Sequence, residues 1–333
     1  MLKVRLSVLA LAGVSVLCTL RSASVPAQEI FLTEDFAVAP TQRGWQAFGA
    51  TNLFVWNPTN QNLEVTWDSS QTNSLFYHPL GTVVTKTNDF MLEFDLRLSD
   101  LAIGTTPGKP YTFELAVGLT DLASATNALV RRGTGFDSPN LVEFDYFPDS
   151  GYGATISTAV ISSNNEWNDG GFTYPMALPL AEVIHVEMRY IAADQTLTTR
   201  VTRNGQPFGP LKQATLGTNF SNFCVDQVAI SSYSDAGQDP DFAGSLLAHG
   251  TVDNFVFISP PPVGELAGSF AGQTWQVQFT SHTNWLYTLE RTDGFQTWPG
   301  AASPAAGTGE RMTLSDNNAA SGKGFYRVRA VRP

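Results

Sequence analysis

The sequence predicts an all-β chain, an antiparallel β-sandwich followed by a second, smaller β-sandwich. Three observations carry this. No long segment keeps the 3.6-residue hydrophobic period of an amphipathic helix. Short β-branched and aromatic runs recur instead, separated by clusters of Gly, Pro, Asn and Asp. Between two such runs, Asn204-Gly205 is a strong hairpin signal, because a type I′ turn needs positive φ at both central residues.

The elements follow in order. Residues 1–27 read as an export signal: Lys3 and Arg5 supply positive charge, Leu6–Leu20 an apolar run, and Val25-Pro26-Ala27 a small-residue cleavage site. Residues 28–259 then form the large sandwich. Its expected strands are Ile30–Phe36, Leu63–Trp67, Phe90–Leu98, Tyr111–Leu119, Leu141–Phe147, Ile156–Ser162, Val183–Ile191, Thr196–Arg203, Phe223–Ser232 and Thr251–Ile258. Pro260-Pro261-Pro262 cannot donate to a sheet, which marks 260–263 as a stiff linker. Residues 264–333 are read as the small sandwich, with strands at Trp275–Thr280, Trp285–Arg291, Arg311–Leu314 and Phe325–Val331.

A formal net charge of −11 at pH 7 argues against nucleic acid and anionic membranes as partners, since neither gains from meeting an acidic surface. Removing Lys3, Arg5 and Arg21 with the signal makes the balance more negative still. No run beyond the signal is apolar enough to enter a membrane. Of the two cysteines, Cys18 lies in the signal, so Cys224 has no intramolecular disulfide partner after processing. The expected location is outside the cell.

Within Asn140–Asp149, alternation puts Val142, Phe144 and Tyr146 on one face and Glu143 and Asp145 on the other. Two carboxylates about 6.5–7 Å apart on one face repel. They call for a metal, a basic partner, full solvation or a catalytic use.

The large unit resembles the concanavalin A-like lectin/glucanase superfamily, an antiparallel jelly roll. The resemblance rests on Glu34-Asp35-Phe36 with Gly44-Trp45 at its start and Val252-Asp253-Asn254-Phe255 at its end. It rests also on the laminin-G-like pair Val183–Tyr190 and Thr196–Arg203, and on the Val142–Asp145 strand, similar to the metal-binding strand of legume-type lectins. The resemblance implies calcium, held by Glu143, Asp145 and Asp149, or by Glu34, Asp35 and Asp253 where first and last strands meet. The transition-metal part of a lectin site is missing, because Ala154 and Ala159 stand at its last two ligand positions. For a glycosidase of this superfamily, Glu143 and Asp145 would need a further acid on the same strand. Phe147 and Pro148 stand there, so Glu187 from another strand is the candidate.

Trp167 and Tyr152 are candidates to stack on sugar rings, with Asn165 and Asp169 bonding hydroxyls. Arg189 and Arg200 would line a second polar face. The small C-terminal unit is similar to immunoglobulin/fibronectin-like domains and carries no catalytic constellation. The expectation is a secreted, non-catalytic, lectin-like protein with a polysaccharide or other glycan as partner. A glycoside hydrolase or polysaccharide lyase, and an extracellular adhesion or structural protein, stand as alternatives.

Overall fold

In the computed structural model the described residues are 30–331, except 113, 131, 133–137, 169–174, 261–262, 283–284 and 320–323. The expected signal 1–27 and Asp169 lie outside them. The large unit begins with β1 (Ile30–Glu34), β2 (Gln46–Phe48), β3 (Phe54–Asn57), β4 (Asn62–Asp68), β5 (Ser74–Thr85), β6 (Phe90–Ile103) and β7 (Leu115–Thr120). After a short helix α1 (Leu122–Ala125) come β8 (Leu141–Phe147), β9 (Thr155–Ile161), β10 (Trp167–Asn168), β11 (Ile184–Ile191) and β12 (Thr196–Arg203). The unit ends with β13 (Gln206–Pro207), β14 (Lys212–Thr215), β15 (Cys224–Ser232) and β16 (Leu246–Ser259).

Among the described residues these strands form two antiparallel sheets, the expected jelly-roll sandwich. Nine strands make one, ordered β13-β12-β11-β6-β16-β4-β3, with β1 also on β16 and β14 also on β12. Seven make the other, ordered β10-β9-β8-β7-β15-β5-β2. The Asn204-Gly205 turn joins β12 to β13 with φ of 53° and 72°, as the hairpin signal requires.

Period-two alternation decides what each sheet buries. In β6, Phe90, Leu92, Phe94, Leu96 and Leu98 face inward, while Glu93, Asp95 and Arg97 alternate with them. From the other sheet, Val142, Phe144, Tyr146, Val117, Leu119, Ile156 and Val160 meet them. Phe94 and Phe144 touch edge-on across the sandwich, with ring centroids 5.7 Å apart. Thr158 donates to Thr199 across the same interface at 2.8 Å, so neither buried hydroxyl is left unmatched.

The two sheets differ on their outer faces. The nine-stranded sheet leaves its charged face half-buried or exposed, but β7 is buried along its length, as are β8 up to Tyr146 and β9. Their second face is covered. Leu122 and Ala125 of α1 pack on Leu75, Tyr77 and Ala229 of that face. Arg132, between α1 and β8, also lies over this face, against Glu143 and Asp145.

Two of the departures from the sequence reading have a local physical cause. The strand expected at Tyr111–Leu119 starts only at Leu115, because Thr112 instead ties its amide and hydroxyl to the Asp149 carbonyl. β5, absent from the sequence reading, is interrupted by Pro79 and Gly81, and the β15–β5 register shifts there between Val225 and Gln227.

The C-terminal residues add β17 (Val263–Ala271), β18 (Thr274–Ser281), β19 (Leu286–Thr292), β20 (Ala305–Ala306), β21 (Arg311–Asp316) and β22 (Phe325–Val331). They form two three-stranded antiparallel sheets around Val277, Phe279, Tyr287, Leu289 and Leu314. β17 escaped the sequence reading because Gly264, Ala267, Gly268 and Ala271 carry no strand signal.

Replacing Phe144 by Ala should cost about 3–5 kcal/mol, read as a lower denaturation midpoint. Val55→Ala, at a half-exposed site, should stay within about 0.5 kcal/mol. Equal effects of the two would contradict the packing described.

Candidate functional site

The second face of the seven-stranded sheet carries a buried ionic cluster. On β8, Glu143 and Asp145 point away from the sandwich core. Their cross-strand neighbours are small: Gly118 and Ala159 beside Glu143, Ala116 and Ser157 beside Asp145. These residues leave room above the sheet for long polar side chains. At Gly118 the approach is closest, since an added Cβ would lie 2.6 Å from Glu143 Cα, 2.7 Å from its Cγ, and against the Val142 carbonyl.

Arg132, from the cover between α1 and β8, fills that room. Its Nε pairs with Glu114, just before β7, and its Nη2 lies 3.2 Å from Asp145 and 3.8 Å from Glu143. Tyr233 and Ser231 donate to Glu143 Oε1 at 2.7 and 3.1 Å. The guanidinium lies over two rings, 5.2 Å from the centroid of Trp167 and 5.1 Å from that of Tyr233. Glu143 and Asp145 are 0% exposed, Arg132 1% and Glu114 4%, whereas Trp167 above them is 47% exposed.

Three carboxylates face one guanidinium. Burial pushes the Glu143 carboxyl up to about 7, against the pull of Arg132 and the Tyr233 hydrogen bond and with the help of Glu114. Burial opposes the charge on Arg132 as well, but Glu114, Asp145 and Glu143 outweigh it and hold the guanidinium protonated above its ordinary range. Burial and the neighbouring Glu143 raise Tyr233, which stays a neutral donor. The arrangement neutralises charge and fastens the cover to the sheet. It presents no open carboxylate to a glycosidic bond.

The expected metal positions both contain an arginine. At the first, Arg132 stands among the carboxylates. Asp149 lies beyond the end of β8, where its carboxylate accepts from Gly151 and its carbonyl from Thr112. At the second, β1 and β16 are neighbours, with Glu34 opposite Phe255. There Arg43 Nη1 lies 2.9 Å from both Glu34 and Asp35. Burial raises the Glu34 carboxyl, and burial with nearby Asp95 and Asp35 raises Asp253. A cleft of about 480 Å³ opens beside Glu34, Asp35, Arg43 and Asn254. Among the described residues, no group of three or more His, Cys, Asp or Glu side chains is set to hold a metal ion. Neither carboxylate set, with a guanidinium already inside it, fits calcium.

Glu187, Arg189 and Arg200 lie elsewhere. They sit on the outer face of the nine-stranded sheet, with Glu187 opposite Glu93 and Arg200, so the sandwich core separates them from Glu143. Asn165 lies in the turn leading to Trp167, with φ of 62°. Tyr152 is 84% exposed in the β8–β9 turn, at the far end of β9 from Trp167, a separation of roughly 20 Å. Arg132, Glu114 and Tyr233 were missed by the sequence reading. The signal available was the need of Glu143 and Asp145 for a basic partner, which the arginine pair at 131–132 could supply.

No family model matches the chain, and no curated protein matches it. Among solved structures, the chain is similar in fold alone to lectins and to an alginate lyase. Peanut lectin with a bound peptide shares 12% identity and a TM-score of 0.45, over 70% of this chain and 98% of that one. Lectin II from Ulex europaeus shares 12%, with a TM-score of 0.44 over 70% and 99%. An alginate lyase in complex with alginate tetrasaccharide shares 11%, with a TM-score of 0.39 over 70% and 97%.

The raised Glu143 carboxyl sets a pH dependence. Between about 4.5 and 7 the folded protein keeps a proton that the unfolded chain releases, so this group lowers stability as pH rises through that window. Glu143→Gln should therefore flatten the fall of Tm with pH. Parallel Tm profiles for the two proteins would contradict this environment.

Proposed function

We propose that the chain is an exported, non-catalytic carbohydrate-binding protein whose glycan contact centres on Trp167. The observation that carries this reading is the half-exposed indole held over a buried, ion-paired Arg132. Stacking on one side fixes the ring, so a sugar meeting its other side costs little side-chain entropy. Asn165, exposed in the adjoining turn, supplies hydrogen bonds to hydroxyls. The acidic surface suits neutral glycans, and the leader-like 1–27 supports a location outside the cell. Sealing of Glu143 and Asp145 favours binding over hydrolysis or elimination, since general acid–base work needs the carboxyl within hydrogen-bond reach of its substrate. The C-terminal unit serves as an association module.

A glycan array with the full chain tests this, run beside assays for new reducing ends and unsaturated products. Binding without turnover is expected, and Trp167→Ala should weaken it roughly tenfold or more, about 1.4 kcal/mol. Unchanged affinity in Trp167→Ala removes the platform. Product formation that Glu143→Gln abolishes at an unchanged Tm would make the protein an enzyme instead.

A further inference from the structure

The two parts of the chain differ in charge. Residues 264–333 hold five acidic and six basic side chains, against 25 acidic and ten basic in 28–263. We propose that the outer face of the β19–β22 sheet is a second binding surface, whose ligand is an anionic polysaccharide built of uronic acid units. The proposal does not depend on the Trp167 platform.

Alternation along β22 builds this face. Tyr326 and Val328 pack on the core of the C-terminal unit, so Phe325, Arg327 and Arg329 point outward. Phe295 and Trp298, from the loop after β19, extend it. Between ring centroids, Phe295 lies 4.1 Å from Phe325 and 6.0 Å from Trp298. The Arg327 guanidinium sits 4.3 Å over the Trp298 ring, and its Nε pairs with Glu290 on β19 at 2.7 Å. Arg329 approaches the same carboxylate at 3.8 Å. Among the described residues, two guanidiniums thus share one carboxylate, itself only 7% exposed. The surplus charge is positive, the reverse of the Arg132 cluster. Ring and carboxylate hold Arg327 in place before any ligand arrives, which lowers the entropy cost of binding.

The exposed rings decide the class of partner. Phe295 is 58% exposed and Phe325 43%. With roughly 150–250 Å² for a whole aromatic side chain, the two offer about 200 Å² together. A folded protein needs about 800 Å² on each side, whereas a few sugar rings fit the smaller area. A uronate joins, in one rigid ring, an apolar C–H face for an aromatic side chain and a carboxylate for a guanidinium fork. An acidic peptide presents both only by fixing several flexible side chains.

The test measures, by calorimetry on the full chain, binding to polygalacturonate, to its methyl-esterified form and to poly-L-glutamate. Polygalacturonate should bind, and esterification, which removes charge but keeps the rings, should weaken binding about tenfold or more. Arg327→Gln combined with Arg329→Gln should weaken it as much, and Phe295→Ala several-fold. Arg329→Gln alone keeps the Arg327–Glu290 pair and carries the test if the double variant does not fold. No binding to polygalacturonate, equal binding of the esterified form, or tighter binding of poly-L-glutamate overturns the proposal. So does an affinity that these substitutions leave unchanged.

Discussion

The ion cluster around Arg132 is the constraint on which the second face of the seven-stranded sheet depends. A jelly roll needs a core between its sheets, and this chain builds that core from Phe94, Phe144 and their neighbours. It then buries Glu143 and Asp145 on the opposite face, where water would ordinarily solvate them. Carboxylates withdrawn from water cost several kcal/mol each unless matched, so the cover above them must bring positive charge. Arg132 brings it. Gly118, Ala116 and Ala159 make space for it, and Tyr233, Ser231 and Trp167 complete its surroundings.

This constraint also shapes the functional reading. The acids that made the sequence look catalytic are spent on holding the cover to the sheet. What reaches solvent above them is an indole whose position the arginine fixes. The charged face of the nine-stranded sheet shows the contrasting solution. His249 pairs with Asp100 at 2.8 Å in the open, where such pairs contribute little to stability, and His185 pairs with a half-buried Asp95 at the same distance.

Much of the fold was legible because period-two alternation and turn chemistry are local. The Asn204-Gly205 hairpin, the inward aromatics of β6 and the two-faced pattern of β8 could all be read directly. β5 was not legible because Pro79 and Gly81 imitate a break, and only its pairing with β15 shows that the strand continues past a register shift. The site was half legible. Glu143 and Asp145 announced a need for a counter-charge, but its supplier stands outside any motif and is delivered by tertiary packing. Glu187 looked like a third acid because sequence does not say which sheet a strand joins, and its neighbours place it on the other one.

The most direct measurement is a double-mutant cycle between Arg132 and Asp145, with unfolding free energies for wild type, Arg132→Met, Asp145→Asn and the pair. A buried ion pair that fastens the cover predicts strong coupling, about 2 kcal/mol or more, with the double variant far more stable than the single losses sum to. Single losses that simply add would contradict the account.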